Sequence, residues 1–332
     1  MTARRKRIVA SVVTALVVLV AFAGVLPRVA DLGKVWRLVG DLPAPVVLGI
    51  VALALANLAT YPLLSMASLP GLTFGQAFVV TQASTAVANT VPAGSGVGVG
   101  VTYAMYGGYH FDSGAIALSV TSTGLANAVV KFLMPAVAAL VLVVSGDAPP
   151  WAWNAARVGT LLLAVTGVLL WAAVRGRRFA LAIVHGVARL VARVRHRDRA
   201  AAARAAEKWL ATLVEDASSS LRARGPWVAV AAVVSHVALY ALFAACLAAT
   251  GAGIGLALSF AVFGVVRLGL TVPVTPGGVG VAEAGYAAAL VGAGAAADPA
   301  VAAVLLFRAA TYLLPIPIGL ACWLLWRRAK GA

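Results

Sequence analysis

The chain predicts an all-α polytopic membrane protein, an inverted-topology repeat of about six full spans plus two re-entrant helical hairpins. Three observations carry that expectation. With 332 residues, 62% hydrophobic and only 11% charged, the chain has too little polar surface to cover a soluble globule of its size. A proline-glycine break recurs inside apolar sequence, as P-A-G-S-G-V-G-V-G from Pro92 to Gly100 and P-G-G-V-G-V-A-E-A from Pro276 to Ala284. The basic residues, finally, cluster between and beside the apolar spans instead of spreading over the chain.

Arg4 to Arg7 precede an apolar run from Ile8 to Leu26, long enough for a full crossing and expected to stay as a span despite its likeness to a signal peptide. Asp31 to Leu42 sets Leu32, Val35, Trp36 and Val39 among Lys34, Arg37 and Asp41, the pattern of an interfacial amphipathic helix. Pro45 to Met66 is the second span. Gln76 to Val91 and Val97 to Tyr109 flank the first break, and Ser113 to Val144 follows as a long span. The second half repeats this order: a span from Trp153 to Val174, a basic segment over 175–225, a span from Pro226 to Ala249, arms from Gly255 to Val272 and Val281 to Gly294 around the second break, and a span from Pro299 to Trp326. The hairpins are thus expected at 76–109 and 255–294, within a first repeat of 1–147 and a second of 148–332. Most arms fall short of a hydrocarbon core of about 30 Å at about 1.5 Å per residue, the length class of segments that dip in and return.

Charge parity orients the halves. Segment 175–225 holds twelve basic residues against Asp198, Glu207, Glu215 and Asp216, and the positive-inside rule sets it, the amino terminus and the Arg327–Arg328–Lys330 end in the cytoplasm. An even number of crossings must then join the amino terminus to that segment. Four long spans with a re-entrant first pair satisfy this, each half makes three crossings, and the second half is upside down relative to the first. The net charge of +16 is therefore read as topology, not as affinity for nucleic acid. In the basic segment, Phe179, Ile183, Val187, Leu190 and Val194 form one apolar stripe and Leu210, Leu213, Ala217 and Leu221 another, which suits an anionic membrane surface.

Charges within apolar segments are costly and face the bundle interior, which singles out Lys131, Arg267, Glu283 and Arg308. Glu283 opens the arm after the second break and is placed to pair with Arg267 or Arg308, or to carry a proton. The two guanidinium groups suit phosphate through their bidentate fork. Lys131 holds a comparable place in the first half. Asn89 and Asn127 can donate and accept in a cavity or join helices, and His236 and Tyr240 lie one turn apart on a span. Gly94, Gly96, Gly277, Gly278 and Gly280 serve backbone geometry at the breaks. The binding set expected from the sequence is Arg267, Glu283, Arg308, Gly277, Gly278, Gly280, Asn89, Gly94, Gly96 and Lys131.

Other chemistry finds little support. Cys246 and Cys322 fall in apolar runs, and His110, His185, His196 and His236 lack metal-ligand spacing. No Walker lysine follows the glycine run. With no Ser/His/Asp arrangement or paired carboxylates, neither catalysis, metal nor cofactor is expected.

The segment V-P-V-T-P-G-G-V-G-V-A-E-A-G from Val272 to Gly285, with L-F-R-A-A-T-Y-L-L-P-I-P-I-G from Leu306 to Gly319 and A-N-T-V-P-A-G-S-G from Ala88 to Gly96, resembles the lysylphosphatidylglycerol synthase transmembrane, or flippase-like, family. Its members include multiple peptide resistance factors, whose membrane part moves aminoacylated phosphatidylglycerol to the outer leaflet beside a cytoplasmic transferase domain. The resemblance implies a lipid-translocating unit with Glu283 and Arg308 as the matching polar positions. No transferase sequence accompanies the membrane region here, so the expected substrate is an anionic, phosphate-bearing lipid, aminoacylated or polyprenyl-linked, made by a separate lipid-modifying enzyme. The expected location is the inner membrane, multi-pass, with both termini cytoplasmic. A secondary transporter of a small anion and a non-catalytic partner of a lipid-modifying or glycosyltransferase enzyme are the alternative classes.

Overall fold

The fold is described from a computed structural model, in residues 30–91, 94–145, 199–271 and 275–331 with a few isolated positions between 154 and 164; for 199–223 it describes the backbone alone. The expected spans Ile8–Leu26 and Trp153–Val174, the basic stripe from Phe179 to Val194, Pro92 and Val272–Val274 lie outside the described residues, or nearly so. Within them every regular element is helical. Four helices are long and apolar enough to cross a membrane: Ala44–Ser68, Ser113–Val144, Arg224–Thr250 and Ala297–Ala329. The chain is a multi-pass membrane protein. Leu48, Leu55, Leu140, Val144, Val237, Leu320 and Leu325, all on these four, are exposed, as they must be where lipid is the solvent.

Helix α1 (Leu32–Gly40) starts where the Asp31 carboxylate accepts from the Gly33 and Lys34 N–H groups, at 2.8 and 3.3 Å, satisfying donors that the first turn leaves free. Its expected apolar stripe divides. Val35 is fully buried with Leu32 and Val39 beside it, against Val301 and Ala302 of a later helix, whereas Trp36 stays exposed. The Asp31 N–H and the Lys34 ammonium both reach Asp298, at 2.8 and 3.8 Å. Helix α1 is therefore docked on the protein.

Helix α2 (Ala44–Ser68) is the span expected at Pro45–Met66. Around the first break lie α3 (Phe74–Thr90), opened by a Thr73–Gln76 capping box, and α4 (Gly94–Gly108). Helix α5 (Ser113–Ser145) then runs unbroken through Pro135. Helix α6 (Arg199–Thr250) differs from expectation. The sequence ends the basic segment 175–225 at Pro226, but the helix passes through that proline over 52 residues. A proline removes one N–H and its ring crowds the carbonyl four residues back, and a helix crossing a membrane tolerates this where neighbouring groups satisfy the backbone.

The second break has α7 (Leu256–Gly269) before it, a single 3-10 turn (Pro276–Gly278) in it and α8 (Val281–Gly292) after it. At 14 and 12 residues, α7 and α8 measure about 21 and 18 Å, well short of a bilayer core. The last span divides into α9 (Ala297–Arg308), one π turn (Ala309–Leu313) and α10 (Pro315–Gly331). Pro315 has no N–H for the Thr311 carbonyl, and its ring crowds that carbonyl. Widening the turn relieves the conflict, with Leu314 N–H donating five residues back to Ala309 at 3.0 Å.

Helices from the two halves interlock. Helix α2 lies along α6, α3 along α10 and α7 along α5, so the helix that precedes each break rests on a long helix distant in sequence. The α3–α10 approach depends on Gly319, where a Cβ would run into the Gln82 carbonyl and the Ala86 methyl. Gln82 Nε2 also donates to the Leu58 carbonyl at 3.1 Å, and Ser68 and Ser119 share a hydrogen bond of 2.6 Å, tying α3 and α5 to α2. Phe243 of α6, Phe263 of α7, Tyr286 of α8 and Phe307 of α9 pack ring on ring.

Candidate functional site

The glycine pattern of the second break creates a tight turn, and that turn presents polar groups inward. Gly277, Gly278 and Gly280 carry φ of 57°, 70° and 82°, a region that other residues enter only with strain. Glu283, third residue of α8 and nearly fully buried, turns back so that Oε2 accepts the Gly280 N–H at 2.6 Å. Its Oε1 accepts from Arg308 Nε at 2.7 Å, and Arg308 Nη2 donates to the Gly277 carbonyl at 2.8 Å. The side chains of the pair are only 14% and 4% exposed, so each charge depends on the other for its loss of water.

The same arginine reaches the first break through Tyr312, one turn on, in the π segment. Arg308 Cζ stands 4.9 Å from the Tyr312 ring centroid. The tyrosine hydroxyl donates to the Asn89 carbonyl at 2.8 Å, and Asn89 Nδ2 donates to the Tyr312 carbonyl at 3.2 Å. A Cβ on Gly277 would strike the Tyr312 ring. The 3-10 turn also touches both α3 and α4. The two breaks therefore meet, joined by a polar latch that runs Gly280–Glu283–Arg308–Tyr312–Asn89.

A second polar feature lies between the halves. A cavity of about 350 Å³ is bounded by Tyr61, Leu64 and Ser65 of α2, Thr81, Ser84 and Thr85 of α3, and Thr123, Asn127 and Lys131 of α5. From the other half come Ser235, His236 and Leu239 of α6 and Arg267 of α7. Hydroxyls and cations dominate this wall, and no carboxylate is among them. Several hydroxyls spend their proton on the backbone: Thr81 on Ala77, Thr85 on Thr81 and Thr123 on Val120, at 2.7, 2.7 and 3.1 Å. Their free lone pairs are what they offer a ligand. His236 Nδ1 meets the Ala232 carbonyl at 2.9 Å. Among the described residues no protein group partners His236 Nε2 or Arg267 Nε, although both are buried.

The expected site residues thus divide between the two features. Glu283, Arg308, Gly277, Gly280 and Asn89 belong to the latch, with Gly278 in its turn. Lys131 and Arg267 come together in the cavity. Gly94 is buried where a Cβ would meet the Ala88 carbonyl, whereas Gly96 is exposed with open space around it. Glu283 pairs with Arg308, and Arg267 stands apart from both in a separate wall. The polar atoms of His236 and Tyr240 turn to other partners: His236 Nδ1 meets the Ala232 carbonyl, while Tyr240 donates to the Leu256 carbonyl at 2.7 Å and shares a bond of 2.9 Å with Ser259.

Sequence reasoning did not single out Tyr61, Ser65, Thr81, Ser84, Thr85, Thr123 or Ser235 as site residues. A signal existed in helical spacing. Thr81, Ser84 and Thr85 fall at i, i+3 and i+4, and Thr123, Asn127 and Lys131 at i, i+4 and i+8, so each set forms a polar stripe on one face.

No curated protein matches the chain. Residues 7–319 do match the lysylphosphatidylglycerol synthase TM region family, and that stretch contains all the described spans apart from the end of α10, both breaks, the latch and the cavity. The chain belongs to the lysylphosphatidylglycerol synthase TM region family.

Proposed function

We propose that this protein moves an anionic, phosphate-bearing lipid between the leaflets of the cell membrane, with the headgroup in the cavity between the halves and the tails in lipid. The observation that carries the proposal is the cavity wall itself: Lys131, Arg267 and His236 among seven hydroxyl-bearing side chains, at the junction of five helices. Guanidinium and ammonium groups recognise phosphate, and family membership supports a lipid-related role in the membrane.

An inverted-topology repeat suits this task, because two halves that rock against each other open a shared site to one side and then the other. The reciprocal packing of α3 on α10 and α7 on α5 supports that architecture. So do the four short helices around two breaks that meet. In this reading both termini face the cytoplasm, the lipid is supplied by a separate modifying enzyme, and the protein itself is not an enzyme. The latch serves as the joint that keeps the breaks together while the halves move.

Purified protein in liposomes carrying acyl-labelled phosphatidylglycerol, phosphatidic acid or polyprenyl phosphate tests this. Accelerated exchange of at least one probe, slowed by Arg267→Gln, is expected. Rates equal to those of protein-free vesicles for all three would overturn the assignment. Uptake of a water-soluble phosphate into such vesicles would instead point to a transporter of small anions.

A further inference from the structure

The whole sequence holds ten carboxylates, and their positions decide what can neutralise the cavity. Asp31, Asp41, Asp112 and Asp298 stand at or beside helix starts and ends, and Asp147, Asp198, Glu207, Glu215 and Asp216 lie between the apolar spans. Residues 1–29 and 153–197, where the sequence leads one to expect two further spans, contain neither Asp nor Glu. Glu283 alone sits within the membrane-embedded breaks, and both of its oxygens are engaged, by Arg308 and the Gly280 N–H. Among the described residues, therefore, no carboxylate lines the cavity to set against Lys131 and Arg267.

The wall hydroxyls cannot replace one. Neutral oxygens solvate a cation but leave its charge, and an uncompensated charge in a low-dielectric site is expensive. Two cations face one cavity across the interface of the halves, one on α5 and one on α7, and they repel each other until an anion lies between them.

We infer that the ligand of this cavity is a phosphoryl group bearing two negative charges, a phosphomonoester or a diphosphate, and not an aminoacylated headgroup. This rests on the cavity being the headgroup site proposed above. A phosphodiester balances one of the two cations. An aminoacyl ester adds an ammonium group to that diester, and the cavity offers this third cation no carboxylate. The hydroxyl lone pairs then receive sugar, glycerol or water hydroxyls around the phosphate.

The experiment is equilibrium binding to the full chain in detergent, at mildly alkaline pH where the second phosphate proton is off. The probes are dioctanoyl phosphatidic acid, dioctanoyl phosphatidylglycerol, its lysyl ester and inorganic phosphate. Phosphatidic acid is expected to bind about tenfold or more tighter than phosphatidylglycerol, given one further charge against a cation a few ångströms away, with the lysyl ester weakest. Arg267→Gln and Lys131→Gln should each reduce that ratio, losing more affinity for the dianion than for the diester. Equal or tighter binding of the lysyl ester by the unaltered protein overturns the inference, whether or not the variants fold. So does a ratio that folded variants leave unchanged. Inorganic phosphate competing as well as phosphatidic acid upholds the charge rule but removes the lipid. Dianion selectivity without any exchange in liposomes would sink the translocation reading and leave the inference standing.

Discussion

Replacing Glu283 by Gln isolates the electrostatics of the latch, because the amide keeps the carboxylate's shape. In the native structure one side chain accepts twice, from Arg308 Nε at 2.7 Å and from the Gly280 N–H at 2.6 Å. Glutamine brings a single acceptor oxygen, so one of those donors loses its partner, a loss of about 1–3 kcal/mol for a buried group. Arg308 also becomes an uncompensated charge, and breaking a buried pair on one side costs about 3–5 kcal/mol in total. Thermal or denaturant unfolding of the purified protein in one detergent reads this directly. A double-mutant cycle with Arg308→Met sharpens it, because removing both partners leaves no unpaired charge. The double variant should regain part of the single losses but not all, since the Gly277 carbonyl forfeits the Arg308 Nη2–H it receives at 2.8 Å. A Glu283→Gln protein within about 0.5 kcal/mol of wild type, or single losses that simply add, would refute the reasoning.

Gly277→Ala should destabilise by at least about 1–2 kcal/mol, the strain of a left-handed φ on an L-residue, with more from the Tyr312 ring that the new methyl meets. Adding Tyr312→Ala should return only the steric part, as unfolding measurements would show. Tyr312→Phe removes the 2.8 Å bond to the Asn89 carbonyl and should cost about 1 kcal/mol; no change in unfolding midpoint would count against the latch spanning both breaks. Gly319→Val should lower stability by about 1–3 kcal/mol through overpacking, and a cysteine pair across α3 and α10 should then cross-link more slowly. Thr81→Val with Thr85→Val preserves volume while stripping two acceptors from the cavity, and lipid exchange in liposomes should slow although the unfolding midpoint holds.

Much of the fold was legible because membrane physics writes itself into local composition. The spans at Pro45–Met66 and Ser113–Val144 came within a residue or two of α2 and α5, since lipid demands an apolar helix of a set length. The paired breaks were visible as glycine-rich punctuation in apolar sequence. Less visible was the continuity of α6 through Pro226, because proline reads as a stop unless tertiary neighbours absorb its missing bond. The π turn before Pro315 was hidden for a similar reason. Of the site, the four embedded charges stood out by cost alone, whereas the hydroxyl stripes on α3 and α5 were individually too ordinary to notice.

By itself, then, the sequence determined that this protein lives in a membrane, where four of its helices are long and apolar enough to cross, and that Lys131, Arg267, Glu283 and Arg308 must face inward, because desolvation energy depends on residue type and window length. Which charge answers which was decided only by tertiary structure. Glu283 lies 16 residues from Arg267 and 25 from Arg308, and nothing in that spacing favours the longer separation. The backbone reversal at Gly277–Gly280 turns the carboxylate toward α9, and the packing of α7 on α5 carries Arg267 to Lys131 instead. Contacts between distant segments set that division, and with it the separation of a structural latch from a cationic cavity.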